Sequence, residues 1–208
     1  MEPTDANRRM FDERHRRRAT RRTALPPIVR QTLGDLAKKS VLHLHCGSGE
    51  GSAELADLGA TVTAIEPDEP LLDRARERWP SILWIAADPQ SLPANLRRGR
   101  FDLVYSPEGV IERVVDLDGW AEGVASALDA HGELLAFDDH PVAFCVDGLQ
   151  RWHRDYFEDG IARLGGVVTA LARAGLRIEA LEEYPVDASG RRHDRRVPAS
   201  FLLYARKA

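Results

Sequence analysis

The sequence predicts an α/β domain on a mostly parallel sheet, and three observations predict it. From Val41 onward, apolar runs of four or five residues alternate with stretches patterned for helix, the order that builds strand–helix–strand units. The length, 208 residues, suits one domain with short appended segments. The composition, 43% hydrophobic and 30% charged, is that of a chain with a packed core.

The first 30 residues are charged, with arginines at 8, 9, 14, 16, 17, 18, 21 and 22, and read as a basic helical arm or lid broken at Pro26-Pro27. The domain proper is expected over 31–208. Its first strand is Val41–Leu44, followed by the turn Cys46-Gly47-Ser48-Gly49-Glu50-Gly51 and a helix that stops at Gly59. Thr61–Ile65 is the second strand, closed by Glu66. Asp68 then caps a helix carrying Leu71, Leu72 and Ala75 inward until Pro80. Ile82–Ala86 and Phe101–Tyr105 are the third and fourth strands. Leu117, Ala121, Val124 and Leu128 recur at helical spacing, before a His131-Gly132 turn and a fifth strand over Glu133–Phe137. A helix with Leu164, Val168 and Leu171 on one face stops at Gly175. The last strands are Arg177–Leu181 and Phe201–Ala205, with an Arg- and Asp-rich loop between them. Asp138–Asp159 fits no regular element, and loops of that length are often functional.

Several function classes are disfavoured. A net charge of −4 gives no overall attraction to nucleic acid. Two distant cysteines, Cys46 and Cys145, make neither a disulfide framework nor a metal cluster and fit a reducing cytoplasm. No apolar run is long enough to span a membrane, and no secretory signal is expected.

The glycine-rich turn after the first strand lets backbone approach a ligand, and the helix behind it presents free N–H groups there. Glu66, 17 residues after Gly49, ends the next strand where a carboxylate suits the two hydroxyls of a ribose. Asp88 ends the third strand, where it suits an adenine amino group. Each acid alone is equally readable as a cap or a solvated loop residue. A dinucleotide fingerprint needs a third glycine where Ser52 stands, which argues against NAD, and no Walker lysine is present.

These residues resemble the first two motifs of class I S-adenosylmethionine-dependent methyltransferases, over Val41–Arg76. More narrowly, the turn resembles a bacterial branch whose first motif reads LHLQC. The resemblance continues through Phe101–Ser106, Asp116–Ala121, His140-Pro141, Asp155–Phe157, Ala174–Glu179, Glu183–Pro185 and Pro198–Lys207, about four-fifths of the chain. It implies a Rossmann-like seven-stranded sheet with helices on both faces and an antiparallel last strand. It also implies S-adenosylmethionine as cofactor, with His43, His45, Cys46, Gly47, Ser48 and Gly49 around its methionine part. Glu66 and Pro67 would lie at the ribose, Asp88 and Pro89 at the adenine, and Ser106 beside the methyl group. Phe11 corresponds to an aromatic residue that helps cover the cofactor.

Departures from the pattern are specific. His43 replaces the usual acid and His45 the first glycine, which gives up a fixed negative charge opposite a cationic cofactor. The branch's aromatic residue near Arg113 and histidine near Ala162 are missing. For the chemistry, the expected partner is a small-molecule methyl acceptor, and the candidate bases are His140, Asp139 and Tyr156. His140 has the best residue type, although ordering its loop through a backbone contact is the weightier reading for it. Two alternatives stand beside this reading: a degenerate, non-catalytic nucleotide- or partner-binding protein, suggested by the two histidines, and a nucleic-acid methyltransferase, suggested by the arginines.

Overall fold

The computed structural model describes residues 25–146, 151–185 and 196–208. The arm over 1–24 with Phe11, and most of the Arg- and Asp-rich loop, lie outside the described residues. Seven strands form one sheet: β1 (Ser40–His43), β2 (Thr61–Glu66), β3 (Leu83–Ala86), β4 (Phe101–Ser106), β5 (Leu128–Asp139), β6 (Leu176–Tyr184) and β7 (Ser200–Lys207), in the order β3-β2-β1-β4-β5-β7-β6. The first five run parallel, and β7 is inserted antiparallel between β5 and β6. The mostly parallel sheet with helices on both faces is therefore as expected from the alternating pattern.

The central strands are apolar on both sides, as a covered parallel sheet requires. In β4, Leu103 and Tyr105 face one cluster while Phe101 and Val104 face the other. Helices α1 (Pro27–Leu33), α2 (Glu50–Asp57) and α3 (Glu69–Arg78) cover the first face with Val29, Leu55 and Leu72. The second face is covered by α4 (Leu117–Ala127) and α5 (Leu164–Arg173), through Trp120, Val124, Val167 and Leu171.

Three local readings change. Pro26-Pro27, expected as a break, also opens a helix: Pro27 takes the first helical turn, where its missing N–H costs nothing, and α1 runs on past residue 30. Leu25 and Val29 are both buried. The His131-Gly132 turn survives as an irregularity inside β5. Phe101 pairs with Leu128 and Leu103 with Glu133, while Asp129 Oδ1 accepts from the His131 N–H at 2.9 Å, so the regular ladder starts at the expected Glu133. The stretch after β5 opens with a short 3-10 turn, Pro141–Cys145.

Candidate functional site

The strand order reverses between β1 and β4, so the crevice of this sheet lies beyond their C-terminal ends. Parallel pairing brings the expected residues to that edge. His43 pairs with Ala64 and Tyr105, Glu66 with Ala86, and Ser106 with Ala136. Asp88 follows the end of β3 by two residues, exposed, with Oδ1 accepting from the Gln90 N–H at 2.8 Å.

The turn after β1 is held from three sides. Leu44 N–H donates to Tyr105 O, Cys46 N–H to Ile65 O, and Gly49 N–H to Cys46 O. Gly47 and Gly49 adopt φ of 57° and 93°, and a Cβ on Gly47 would meet nothing within 4 Å, which leaves open space above the backbone there. On Gly49 it would come 2.7 Å from the Trp84 ring and 3.0 Å from Trp79, so this glycine lets α2 start against β3 and α3. Ser48 Oγ donates to Glu50 Oε2 at 2.6 Å. Pro67 is exposed and Pro89 buried.

Glu66 is buried at the floor of this edge. Its Oε2 accepts from the Gly47 N–H at 2.9 Å and its Oε1 from the Asp68 N–H at 3.2 Å, so the carboxylate ties the turn to the end of β2. His45, at φ 48°, brings Nδ1 to 3.2 Å from Glu66 Oε2. His43 points beneath the turn: it is 3% exposed, its Nδ1 lies 2.7 Å from Ser52 Oγ on α2, and burial pushes its pKa down to about 3. It is a neutral strut between β1 and α2. Burial, with the Glu66 charge beside it, raises the Cys46 thiol far above its ordinary range, which makes it packing rather than a nucleophile. Ser106 Oγ is fully buried with no hydrogen-bond partner among the described residues.

A cavity of about 140 Å³ opens where the chain leaving β4 meets the chain leaving β5. Ile111 and Glu112 line it from one side, Asp139, Pro141 and Phe144 from the other, with Arg154 and Gly160–Ala162 across. Asp138 pins the two segments together: its oxygens accept from the Gly109, Ile111 and Asp139 N–H groups at 2.7–2.8 Å. Burial, and then the charge of Glu112, raise the Asp138 pKa well above the carboxylate range.

The three candidate bases separate. Asp139 lines the cavity. His140 caps the 3-10 turn: Nδ1 accepts from the Val142 N–H at 3.2 Å, and Nε2 lies 2.9 Å from Glu183 Oε1. Burial lowers its pKa, with Glu183 opposing that shift. Both ring nitrogens are thus engaged away from the cavity. Tyr156 packs edge-on against Phe157 and does not line the cavity. Glu112, Arg154 and Phe144 were not singled out from the sequence. Glu112 follows a strand end without periodicity, and its lining position depends on Asp138 folding the loop.

Residues 41–132 match the family model of the methyltransferase domain. A solved S-adenosylmethionine-dependent methyltransferase from Mesorhizobium loti superposes with a TM-score of 0.69 at 24% identity, covering 86% of this chain and 96% of that one. This is the fold of that enzyme class. Among curated relatives, a malonyl-[acyl-carrier protein] O-methyltransferase of Pseudescherichia vulneris is 39% identical over 74 residues, which are 36% of this chain and 29% of that protein. An uncharacterised methyltransferase of Synechocystis is 30% identical over 103 residues, 49% of this chain and 48% of that protein. The chain thus spans less than half the length of the curated relatives it matches. The cofactor that the domain and fold imply is S-adenosylmethionine, and the edge suits it: Gly47 leaves open space, Glu66 offers a buried acceptor, and Ser106, at the end of β4, carries a buried hydroxyl with no partner among the described residues. No helix among the described residues is long and apolar enough to cross a membrane.

Proposed function

We propose that this chain methylates a small molecule using S-adenosylmethionine, with the turn His45–Gly49 around the methionine part, Glu66 at the ribose and Asp88 at the adenine. The observation that carries the reading is the pairing of an open glycine turn with a buried carboxylate at the C-terminal ends of β1 and β2. The cofactor, when bound, supplies an activated methyl group. What remains for this chain is to orient an acceptor in line with that methyl group and to exclude water.

On this reading Glu66 exchanges its contact with His45 for the ribose hydroxyls while keeping the Gly47 N–H. On the same reading the Ser106 hydroxyl, buried at the end of β4, lies beside the methyl group. Asp139 becomes the better placed of the three expected bases, since His140 spends both nitrogens on its loop and on Glu183. We also assign the chain to the bacterial branch with the LHLQC-type first motif. The histidine that this branch carries near Ala162 is missing here, and Ala162 lines the cavity, so the acceptor is expected to differ from the branch's own.

The contact between His45 and Glu66 favours a second reading, in which the imidazole holds the ribose carboxylate and the chain binds cofactor weakly or not at all. Titration calorimetry with S-adenosylhomocysteine decides between them. Micromolar binding is the expected result, and absence of heat at millimolar ligand removes the first reading. Glu66→Ala is expected to weaken that binding by about 1.5–3 kcal/mol, the value of charge-assisted hydrogen bonds lost from a buried acceptor. Unchanged affinity would remove the ribose assignment.

A further inference from the structure

Pro141 and Phe144 form one wall of the cavity beyond β4 and β5, and both belong to the 3-10 turn Pro141–Cys145. His140 ties that turn to the sheet. Its backbone N–H donates to Ala199 O at 3.0 Å, just ahead of β7. Its Nδ1 accepts from the Val142 N–H inside the turn at 3.2 Å, and a ring nitrogen that accepts carries no proton. The proton of the neutral ring is therefore on Nε2, which lies 2.9 Å from Glu183 Oε1 on β6, the distance of donation to a carboxylate. The Phe201 ring of β7 stands edge-on to the imidazole at 6.3 Å. These contacts leave no room for a second ring proton: an imidazolium would turn Nδ1–H against the Val142 N–H, donor against donor. The charged groups on the surrounding elements are Glu183 of β6 and Asp138 and Asp139, which precede His140 on β5; Ala199, Phe201 and the turn itself carry none. Glu183 favours the protonated ring, but burial disfavours it and prevails, so the pKa stands below the ordinary 6.5.

We propose that His140 is a positioning residue that holds this wall only while its ring is neutral: uptake of a second ring proton breaks the cap on Val142 and releases the turn Pro141–Cys145 from the cavity. The cavity is thereby gated from the acid side, whatever ligand it takes, and the gate does not depend on the methyltransferase reading. The sign follows from linkage. The held imidazole titrates below 6.5 and a released one returns to 6.5, so release takes up a proton. Release is therefore favoured as pH falls from 6.5 towards the held value, and it is indifferent to pH above 6.5.

The two cysteines report on it. Cys145 ends the turn, buried, with Sγ 3.8 Å from Pro141 O, and is uncovered when the turn leaves. Cys46 is buried in the cluster on the other face of the sheet and is uncovered only when the chain unfolds as a whole. The full chain is reacted with dithiodipyridine from pH 7.5 to pH 5, each rate is divided by that of glutathione at the same pH, and the labelled cysteine is identified by mass spectrometry. The relative rate at Cys145 is expected to be level above pH 6.5 and to rise by up to about tenfold per pH unit below it, with Cys46 unlabelled over the same time. In His140→Asn the amide oxygen still accepts from an N–H two residues on, as Asp88 does from Gln90, but nothing titrates, so the profile is expected to be flat. Glu183→Gln keeps an acceptor for Nε2–H and removes the charge that opposes release, so the rise is expected to be larger at pH 5. It also decides the matter should His140→Asn not fold. A flat wild-type profile, a rise in His140→Asn equal to that of wild type, or a smaller rise in Glu183→Gln overturns the proposal. Labelling of Cys46 and Cys145 at equal rates reports unfolding of the whole chain and overturns it too.

Discussion

His43 shows how a residue can be read as a departure while the neighbours that hold it stay hidden in the sequence. The sequence places a histidine where an acid is usual, and the expectation set it against the cofactor. Alternation along β1 turns it to the face shared with Tyr105, 5.0 Å away, and α2 supplies Ser52. Which face a strand residue takes was legible from the period of two; that a serine one helical turn into α2 would meet it was not. The consequence is measurable as pH dependence. The folded pKa is about 3 against 6.5 for a free imidazole, so the unfolded chain binds a proton that the folded chain refuses. Stability from this group is complete above pH 6.5 and falls by about 1.4 kcal/mol per pH unit as acidity increases from there towards pH 3. Asp138 acts in the opposite sense: its raised pKa favours the fold at low pH and that contribution is lost as pH rises. A single wild-type profile therefore mixes the two. Urea denaturation of wild type and His43→Gln between pH 7 and 4.5 separates them, and the variant is expected to lose the acid-side slope. Parallel profiles would show that His43 titrates normally.

At the scale of elements, the glycines of the turn were legible but their tasks were not distinguishable. Both stand in the left-handed region, yet Gly47 faces open space and Gly49 faces the two tryptophans. The difference comes from residues some 26 to 35 positions beyond Gly49, Ala75, Trp79 and Trp84, which no local pattern places beside the turn. Gly49→Ala meets both the left-handed backbone penalty, about 1–2 kcal/mol, and overlap with the Trp84 ring, about 1–3 kcal/mol for an overpacked site. An overall loss of about 2–4 kcal/mol in urea unfolding is expected. Gly47→Ala carries only the backbone penalty in stability, while its methyl group enters the space left for the cofactor. The pair therefore separates folding from binding: position 49 is read by the denaturation midpoint, and position 47 by the dissociation constant of S-adenosylhomocysteine. Equal destabilisation at the two positions would contradict the packing described. The cavity was less legible for the same reason. Glu112 reaches the cavity because Asp138, at the far end of β5, gathers the N–H groups of Gly109 and Ile111, and that closure spans nearly thirty residues.

For the whole molecule, seven strands at their expected places were readable because each central strand is an apolar run bounded by a turn, whereas the insertion of β7 between β5 and β6 is a property of the sheet and of no segment within it. That insertion completes the sheet on the cavity's side: Phe201, at the start of β7, lines the cavity, so the last strand is coupled to it. The crevice proposed for the cofactor is assembled in the same way, from the ends of β1, β2, β3 and β4. A ligand held at that edge binds the folded chain and not the unfolded one, so it stabilises the whole domain by mass action. At a hundredfold excess over its dissociation constant, S-adenosylhomocysteine is expected to add about 2.7 kcal/mol. For a chain of this size that is a rise of about 5–10 °C in the thermal midpoint. The rise should grow with the logarithm of ligand concentration and shrink in Glu66→Ala at the same concentration, since the variant binds more weakly. A midpoint indifferent to ligand in the wild type would mean that the crevice holds no adenosine-bearing thioether. A rise equal in wild type and variant would mean that the ligand is held elsewhere than over the carboxylate of β2.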